Sequence, residues 1–545
     1  MSITNYFPLD INAAKKYGIK RWQEGFFWPV SHKSFIEIEN EIKKVLNNLI
    51  TTHATNYLSD LLLINYKIFL EYNNLLNSVR VLQELKKKGF KPIYTKDSIN
   101  YRGLIEKGLP TCRLLTVPSI PKSNIICRLW SKVELMKNSI SLNGSVYLSV
   151  KNLLLGSPYI GTYAARNDLQ RDYISKRLNG GIRLKNTSDW YPRAHNIRLS
   201  NNIIEDINSL CIYLTGKIYD IASYHNIDLT DSQLAYMRNT TRELFIATLI
   251  CLKVLEEYIS TQKIYELIVD SGGDQFSRML SVAVRNNGGS VTGFFHGEPV
   301  IYSCDHYSWL VLSTLDKFIT YTDHAARVLN SLTEYYPPLK ANQVKIEGAE
   351  TSIFYKIWKK ESGKSPPKKI ERIMIVPSPF AYDNRLSQDI LFPEVMQLDW
   401  ELRIINILKK AGCKILYKKH PEGKLRDQKI DLFDNDVEIV YERFEDVMDY
   451  TDAFLFYRSR STTLGYALCT NKPVIYINGG WEKWIPYMYD SFAKRCHIVS
   501  AWFDDKNRLL FNEEELLDAL AQKPTNPNLE FANTYMFPQI TCKSN

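Results

Sequence analysis

From Glu266 to Ile477 the chain alternates between short apolar runs and helical patterns, and it does so twice, on either side of a polar break. Glu266–Val269 reads as a strand, Asp270-Ser271-Gly272-Gly273-Asp274 as a turn, Phe276–Asn286 as a helix and Ser290–Phe295 as a second strand. Parallel neighbours need a long connection, almost always a right-handed crossover, so this is the unit of a doubly wound sheet. Leu315–Thr320 and Val344–Gly348 add strands around a helix over Asp323–Leu332. Lys359–Lys369, with Gly363, Ser365, Pro366 and Pro367, has the composition of a linker. Beyond it, strands are predicted over Arg372–Val376, Lys414–Lys419, Val437–Tyr441, Ala453–Tyr457 and Pro473–Ile477. Helices are predicted over Asp399–Ala411, Phe444–Tyr450, Thr462–Cys469 and Glu513–Ala521. The expected class is α/β, with two Rossmann-type doubly wound domains facing a cleft.

Ahead of this region the pattern is mainly helical. Phe35–Ile50 and Leu58–Lys88 carry Leu, Ile and Tyr at three- and four-residue steps, and Asn202–Tyr224 and Asp231–Ser260 do the same. Short β-like pieces such as Pro92–Thr95 and Ser145–Val150 fall between 90 and 165, and the polar, Arg-rich stretch 166–195 reads as a long loop. From Lys523 the sequence is a Pro/Asn-rich tail.

The composition is that of a globular protein, with 45% hydrophobic and 23% charged residues. The formal net charge of +10 is dispersed, which favours a mildly basic surface and, second, attraction to anionic substrates or a phospholipid surface. Nine scattered cysteines without a Cys-x-x-Cys pair argue against a disulfide framework or a zinc site and for a reduced compartment. The first residues, Met-Ser-Ile-Thr-Asn-Tyr-Phe-Pro, lack a basic region followed by an apolar core. Gly363-Lys364-Ser365 lacks the earlier glycine of a phosphate loop, and no Gly-x-Gly-x-x-Gly appears. Asp434-Asn435-Asp436 lies in a polar connection and reads as a turn.

Chemistry concentrates at two strand ends of the second half. Ile415–Pro421 is an apolar run ending in Lys418-Lys419-His420-Pro421, which delivers two cations and an imidazole to a sheet edge. Alone it reads first as a basic β-turn carrying a surface His. Tyr457-Arg458-Ser459-Arg460-Ser461-Thr462-Thr463 then joins a strand to a helix start, where hydroxyls, unpaired N–H groups and the helix dipole form an anion site. One hydroxyl suffices for a cap; three in a row beside Arg458 and Arg460 exceed that need.

With Gly465-Tyr466-Ala467-Leu468 and Asn471-Lys472-Pro473-Val474-Ile475, this region resembles the nucleotide-binding half of GT-B glycosyltransferases. The His-Pro at one strand end and the Ser/Thr pair downstream are similar to bacterial transferases of CMP-activated sugars, the sialyltransferases and the Kdo transferases of capsule and lipopolysaccharide. The resemblance covers roughly residues 264–480 and implies a metal-independent transfer of Kdo or a nonulosonate to a bacterial surface glycan. The CMP-activated sugar would be a substrate, with no cofactor, and nucleic acid would have no part. The acceptor would be a glycan or glycolipid, and the protein cytoplasmic with peripheral contact at the inner membrane. The implied division is 1–260 completing the acceptor-side domain, 261–358 its Rossmann-like layer, 359–369 the linker, 370–522 the nucleotide-sugar domain and 523–545 the tail.

Carried over residue by residue, His420, Ser461 and Thr462 would bind the CMP phosphate, with Thr463 next in register and Lys418 or Arg458 offsetting its charge. For proton transfer or nucleophilic attack the candidates are His296 and Glu298, in His296-Gly297-Glu298-Pro299, and Asp383 with Asp389 in reserve. Asp270 and Asp274 are a further acidic set, as in inverting sialyltransferases, though a strand-to-helix turn explains them equally. Trp481, Trp484 and Tyr487 are candidate sugar-stacking rings among aromatics that are mostly core. Two alternatives stand beside this reading: a CDP-glycerol or CDP-ribitol polyol-phosphate transferase of the teichoic-acid type, with His296 as base, and a non-catalytic glycan-binding protein on the same fold.

Overall fold

The computed structural model describes residues 5–54, 56–96, 98–110, 159–163, 168–178, 183–186, 197–295, 311–333, 344–380, 392–420, 433, 436–482 and 484–538. Two short strands, β1 (Asn5–Pro8) and β2 (Phe90–Ile93), pair in parallel. The first large sheet has six strands: β3 (Tyr159–Thr162), β4 (Arg183–Asn186), β5 (Ile264–Ile268), β6 (Ser290–Phe294), β7 (Lys317–Thr320) and β8 (Lys345–Gly348). They lie in the order β4-β3-β5-β6-β7-β8, every pair parallel. The second has seven strands: β9 (Arg372–Ile375), β10 (Lys414–Lys418), β11 (Val437–Val440), β12 (Ala453–Phe456), β13 (Val474–Asn478), β14 (His497–Phe503) and β15 (Leu509–Phe511). Their order is β11-β10-β9-β12-β13-β14-β15, parallel except for the antiparallel β14–β15 edge.

Both sheets are doubly wound. The chain leaves β9 for β10 and β11, then returns to the other side of β9 as β12; likewise β4 and β5 flank β3. Such reversals open a crevice at the carboxyl ends of the central strands. The central strands of the second sheet are nearly continuous apolar runs because helices cover both faces: all four residues of β12 are buried, and Leu398, Ile404, Ile405 and Leu408 of helix Glu394–Lys410 are buried with them.

The carboxyl edges of the two sheets face one another. Tyr321, just past β7, packs its ring 4.9 Å from Phe354 in helix Ile353–Glu361. Phe354 in turn lies 5.7 Å from Tyr466, in the helix Thr462–Leu468 that follows β12. Asp168, which starts the helix after β3, acts on the Tyr466 hydroxyl, whose pKa burial, Glu445 and Asp168 together push up to about 12.

Several expectations are corrected in detail. The stretch 166–195, read as a loop, contains helix Asp168–Leu178 and β4. Leu169 and Ile174 are its buried aliphatic anchors in a polar sequence, too few for an apolar periodicity to show. The helical pattern Leu58–Lys88 is two helices, Tyr57–Ile64 and Ile68–Lys87. Asn65 breaks it: its Nδ2 donates to the Leu61 carbonyl at 2.9 Å and to Thr248 Oγ1 at 3.2 Å, in competition with the helical ladder. Ser145–Val150 lies outside the described residues.

The two ends of the described chain exchange sides. Phe7, Leu9, Ile11, Trp22, Phe26 and Trp28 share a core with Ile373, Trp400 and Phe511 of the second sheet's domain. The Ile11 N–H donates to Glu394 Oε1 at 3.0 Å, the Trp28 N–H to the Lys506 carbonyl at 2.9 Å, and Asn507 Nδ2 to the Trp28 carbonyl at 2.9 Å. Conversely, the stretch read as a tail forms helix Glu530–Tyr535, packed on helix Asp323–Thr333 of the first sheet. Thr322 Oγ1 donates to the Thr534 carbonyl at 3.0 Å there.

Candidate functional site

The crevice of the second sheet lies at the carboxyl ends of the neighbouring strands β9 and β12, where the chain's winding reverses, and the basic residues converge on it from β10 and β12. Lys418 closes β10, is 7% exposed, and donates from Nζ to the Lys419 carbonyl at 3.0 Å. Burial pushes its pKa down, opposed by Glu442 and Glu445. Lys419 places its Nζ 5.0 Å from the centre of the exposed Tyr441 ring. His420 follows, half-buried. Burial first, then the charges of Arg458 and Lys418, push its pKa down to about 4, so the imidazole is neutral near pH 7. The electrostatic influence of Arg458 on His420 brings together the two strand ends that the sequence singled out.

The second strand end is held from below and from the side. Tyr457 is fully buried, and its hydroxyl oxygen accepts the Ser378 N–H, at the end of β9, at 2.9 Å. The Ser459 N–H is shared by both Glu482 oxygens at 3.1 Å each, and Glu482 also accepts the Tyr476 hydroxyl. Ser461 caps helix Thr462–Leu468: its Oγ accepts the Thr463 N–H at 3.2 Å and bonds the Thr463 hydroxyl. Ser461, Thr462 and Thr463 are therefore at a helix start, beside Arg458, as expected. Ser378 and Ser459, 4% and 0% exposed, place hydroxyls at the ends of β9 and β12 with no hydrogen-bond partner among the described residues. Buried orphans of this kind mark a place for a ligand group or ordered water. No individual role was expected of Ser378, Ser459 or Glu482, although Ser459 lies within the stretch from Tyr457 to Thr463 read as an anion site, because their roles depend on strand order.

On the opposite edge, Asp270 follows β5 at the β3–β5 switch, and its carbonyl accepts the Phe294 N–H at 2.7 Å. Asp274 is a cap: its Oδ1 accepts the Ser277 N–H at 2.9 Å and the Tyr163 hydroxyl at 3.4 Å. Arg278, fully buried on the same helix, donates to the Leu63 carbonyl at 2.6 Å and to Ser313 Oγ at 2.9 Å. His296, Glu298, Asp383 and Asp389 lie outside the described residues; the described chain approaches them through buried Phe295 and Phe380. Of the candidate stacking rings, Trp481 packs edge-on to Phe392 and Trp400, and Trp484 stacks on Phe492, so both serve the core, while Tyr487 is exposed. Among the described residues no cluster of three His, Cys, Asp or Glu side chains is placed to hold a metal ion, and no helix is long and apolar enough to cross a membrane.

Two Rossmann-type sheets with opposed carboxyl edges make this a GT-B-like fold. No family model matches the sequence, and no curated protein matches it. Among solved structures, the chain is similar to the UDP-GlcNAc 2-epimerase of Methanocaldococcus jannaschii solved with UDP-GlcNAc and UDP, at 13% identity over 70% of this chain and 97% of that one, with a TM-score of 0.37. It is also similar to the glycosyltransferase SnogD of Streptomyces nogalater (9% identity, 70% and 96% covered, TM-score 0.30) and to MurG of Acinetobacter baumannii (10%, 70% and 96%, 0.32).

Proposed function

We propose that this chain is a GT-B-type glycosyltransferase that moves a keto-sugar acid, Kdo or a nonulosonate, from a CMP-activated donor to a bacterial surface glycan. The carrying observation is the convergence of Lys418, His420 and Arg458 at the β9–β12 crevice, beside the hydroxyl-rich helix start Ser461–Thr463. His420, Ser461 and Thr462 bind the CMP phosphate, Thr463 completes the set, and Lys418 and Arg458 offset its charge. Fixed donors of this kind stabilise a departing phosphate without a metal ion. An acceptor oxygen attacks the anomeric carbon, the bond from that carbon to the phosphate oxygen breaks, and CMP leaves with the electron pair. Glu298 or His296 takes the acceptor proton, or Asp383 attacks first as nucleophile in a retaining course. The net charge of +10 suits a protein working beside the inner membrane on an anionic donor.

Thermal-shift screening against CMP, CDP, UDP and GDP tests this. Selective stabilisation by cytidine nucleotides is expected, worth ~2.7 kcal/mol at about a hundredfold excess over Kd. A response to UDP alone sinks the reading. Binding of both CMP and CDP sends the decision to the mass of the transferred group, sugar acid or alditol phosphate; no nucleotide binding at all leaves a glycan-binding protein.

A further inference from the structure

Beneath the strand ends that carry Lys418 and Arg458 lies a buried carboxylate that this chemistry does not use. Glu401, 0% exposed on helix Glu394–Lys410, gathers three donors. Its Oε1 accepts the Tyr457 hydroxyl and Gln397 Nε2, the latter at 2.8 Å, and its Oε2 accepts the Tyr417 hydroxyl at 2.6 Å. Tyr417 immediately precedes Lys418, and Tyr457 immediately precedes Arg458. Gln397 also reaches the Ser378 carbonyl at 2.8 Å and the Tyr457 hydroxyl oxygen at 3.1 Å. Glu401 thus ties together the ends of β10 and β12, and its partners Gln397 and Tyr457 extend the network to the Ser378 backbone just past β9.

We infer that Glu401 is a positioning residue for the nucleotide-phosphate site, that it works as the carboxylate, and that its protonation weakens nucleotide binding. The inference rests on the donor-site reading given above. Hydrogen-bond arithmetic favours the anion: three donors point at two oxygens, and a carboxylic acid would add a fourth donor. Gln397 Nε2 has two hydrogens for three acceptors, its contact to Tyr457 being the longest, and whichever tyrosine oxygen took the new proton, that tyrosine's buried hydroxyl would be left without its acceptor. The titratable groups facing Glu401 are Tyr417 from β10 and Tyr457 from β12; β9 contributes backbone of Ser378 only. Asp399 and Arg403 of its own helix are engaged with each other, and Asp399 with Arg508. Burial pushes the Glu401 pKa up to about 7, against the pull of its three donors.

The test is CMP affinity by titration calorimetry from pH 6 to 8 in the wild type and Glu401→Gln, an isostere of the neutral acid. The ionisation of CMP itself is common to both proteins. The expected result is severalfold tighter binding by the wild type at pH 8 and convergence of the two curves by pH 6. Melting without nucleotide runs the other way. A carboxyl whose pKa rises on folding loses stability as pH rises from 4.5 to about 7, so the variant gains relative to the wild type over that window. A merely structural role would lower binding and stability together. Coincident or parallel affinity curves in folded protein overturn the inference. Should Glu401→Gln not fold, Tyr417→Phe removes one donor, and the fall in affinity must then begin at a higher pH; an unchanged midpoint overturns it equally. A wild type that binds none of the four nucleotides removes the donor-site reading and this inference with it, whereas one that binds CMP regardless of Glu401 removes the inference alone.

Discussion

At the candidate phosphate site, His420 is a residue whose chemistry is strongly altered by its surroundings. A neutral imidazole beside two fixed cations donates one hydrogen bond without adding a third charge, leaving Lys418 and Arg458 to balance the phosphate. His420→Ala is expected to abolish most of the CMP-induced thermal shift while moving the unliganded melting temperature little, since the side chain is half-buried; an unchanged CMP shift contradicts its role. His32, stacked 5.2 Å from Phe503, is pushed down to about pKa 4 by burial alone. Its sign is opposite to that of Glu401. A folded-state pKa below the unfolded 6.5 gives stability that is complete above pH 6.5 and lost towards pH 4, so His32→Phe is expected to lessen the acid-side fall in melting temperature. His420 and the Ser461–Thr463 run were visible in the sequence because each breaks a local pattern: an apolar strand ending in cations, a cap with surplus hydroxyls. Glu401 was not, since the second of two acids within Gln397-Leu398-Asp399-Trp400-Glu401 looks like an ordinary polar helix position until the strand order shows which face is buried.

Among the elements, the central parallel strands β9, β10, β12 and β13 were the most legible, because burial on both faces makes each a nearly unbroken apolar run bounded by turn residues. The polar helix Asp168–Leu178 and the last two strands of the second sheet, β14 and β15, were not, as their sequences carry exposed and buried positions in no simple period. Where elements meet, close approach constrains residue size. A methyl group on Gly348, at the end of β8, would sit 2.3 Å from the Asp323 backbone nitrogen, at the start of helix Asp323–Thr333. The Gly348 N–H also donates to Asp323 Oδ1 at 3.2 Å. Gly348→Ala is expected to cost roughly 1–3 kcal/mol through overpacking, read as a lower urea midpoint with an unchanged slope. At the helix start after β12, Ser461→Ala removes the cap of Thr463; a loss of about 1 kcal/mol is expected. A CMP response that falls further than that loss explains would separate ligand contact from capping.

For the whole molecule, the doubly wound halves followed from the alternation of elements, but the exchange of the two ends did not, because nothing local in Phe7, Trp22 or Trp28 says which sheet they will meet. Trp22→Ala, 4% exposed in the core of the second domain, is expected to cost roughly 3–5 kcal/mol. Hydrogen exchange should locate the damage in helix Glu394–Lys410, far away in sequence; protection lost only around residue 22 would contradict the shared core. The exchange also sets a delay during synthesis. Ile11 waits for Glu394, 383 positions later, and at roughly 5–20 residues per second that is on the order of 20–75 s. Throughout that interval Phe7, Trp22, Phe26 and Trp28 leave the ribosome without the surface they will cover, so the newborn chain, more than the finished protein, is the form that needs a chaperone's protection.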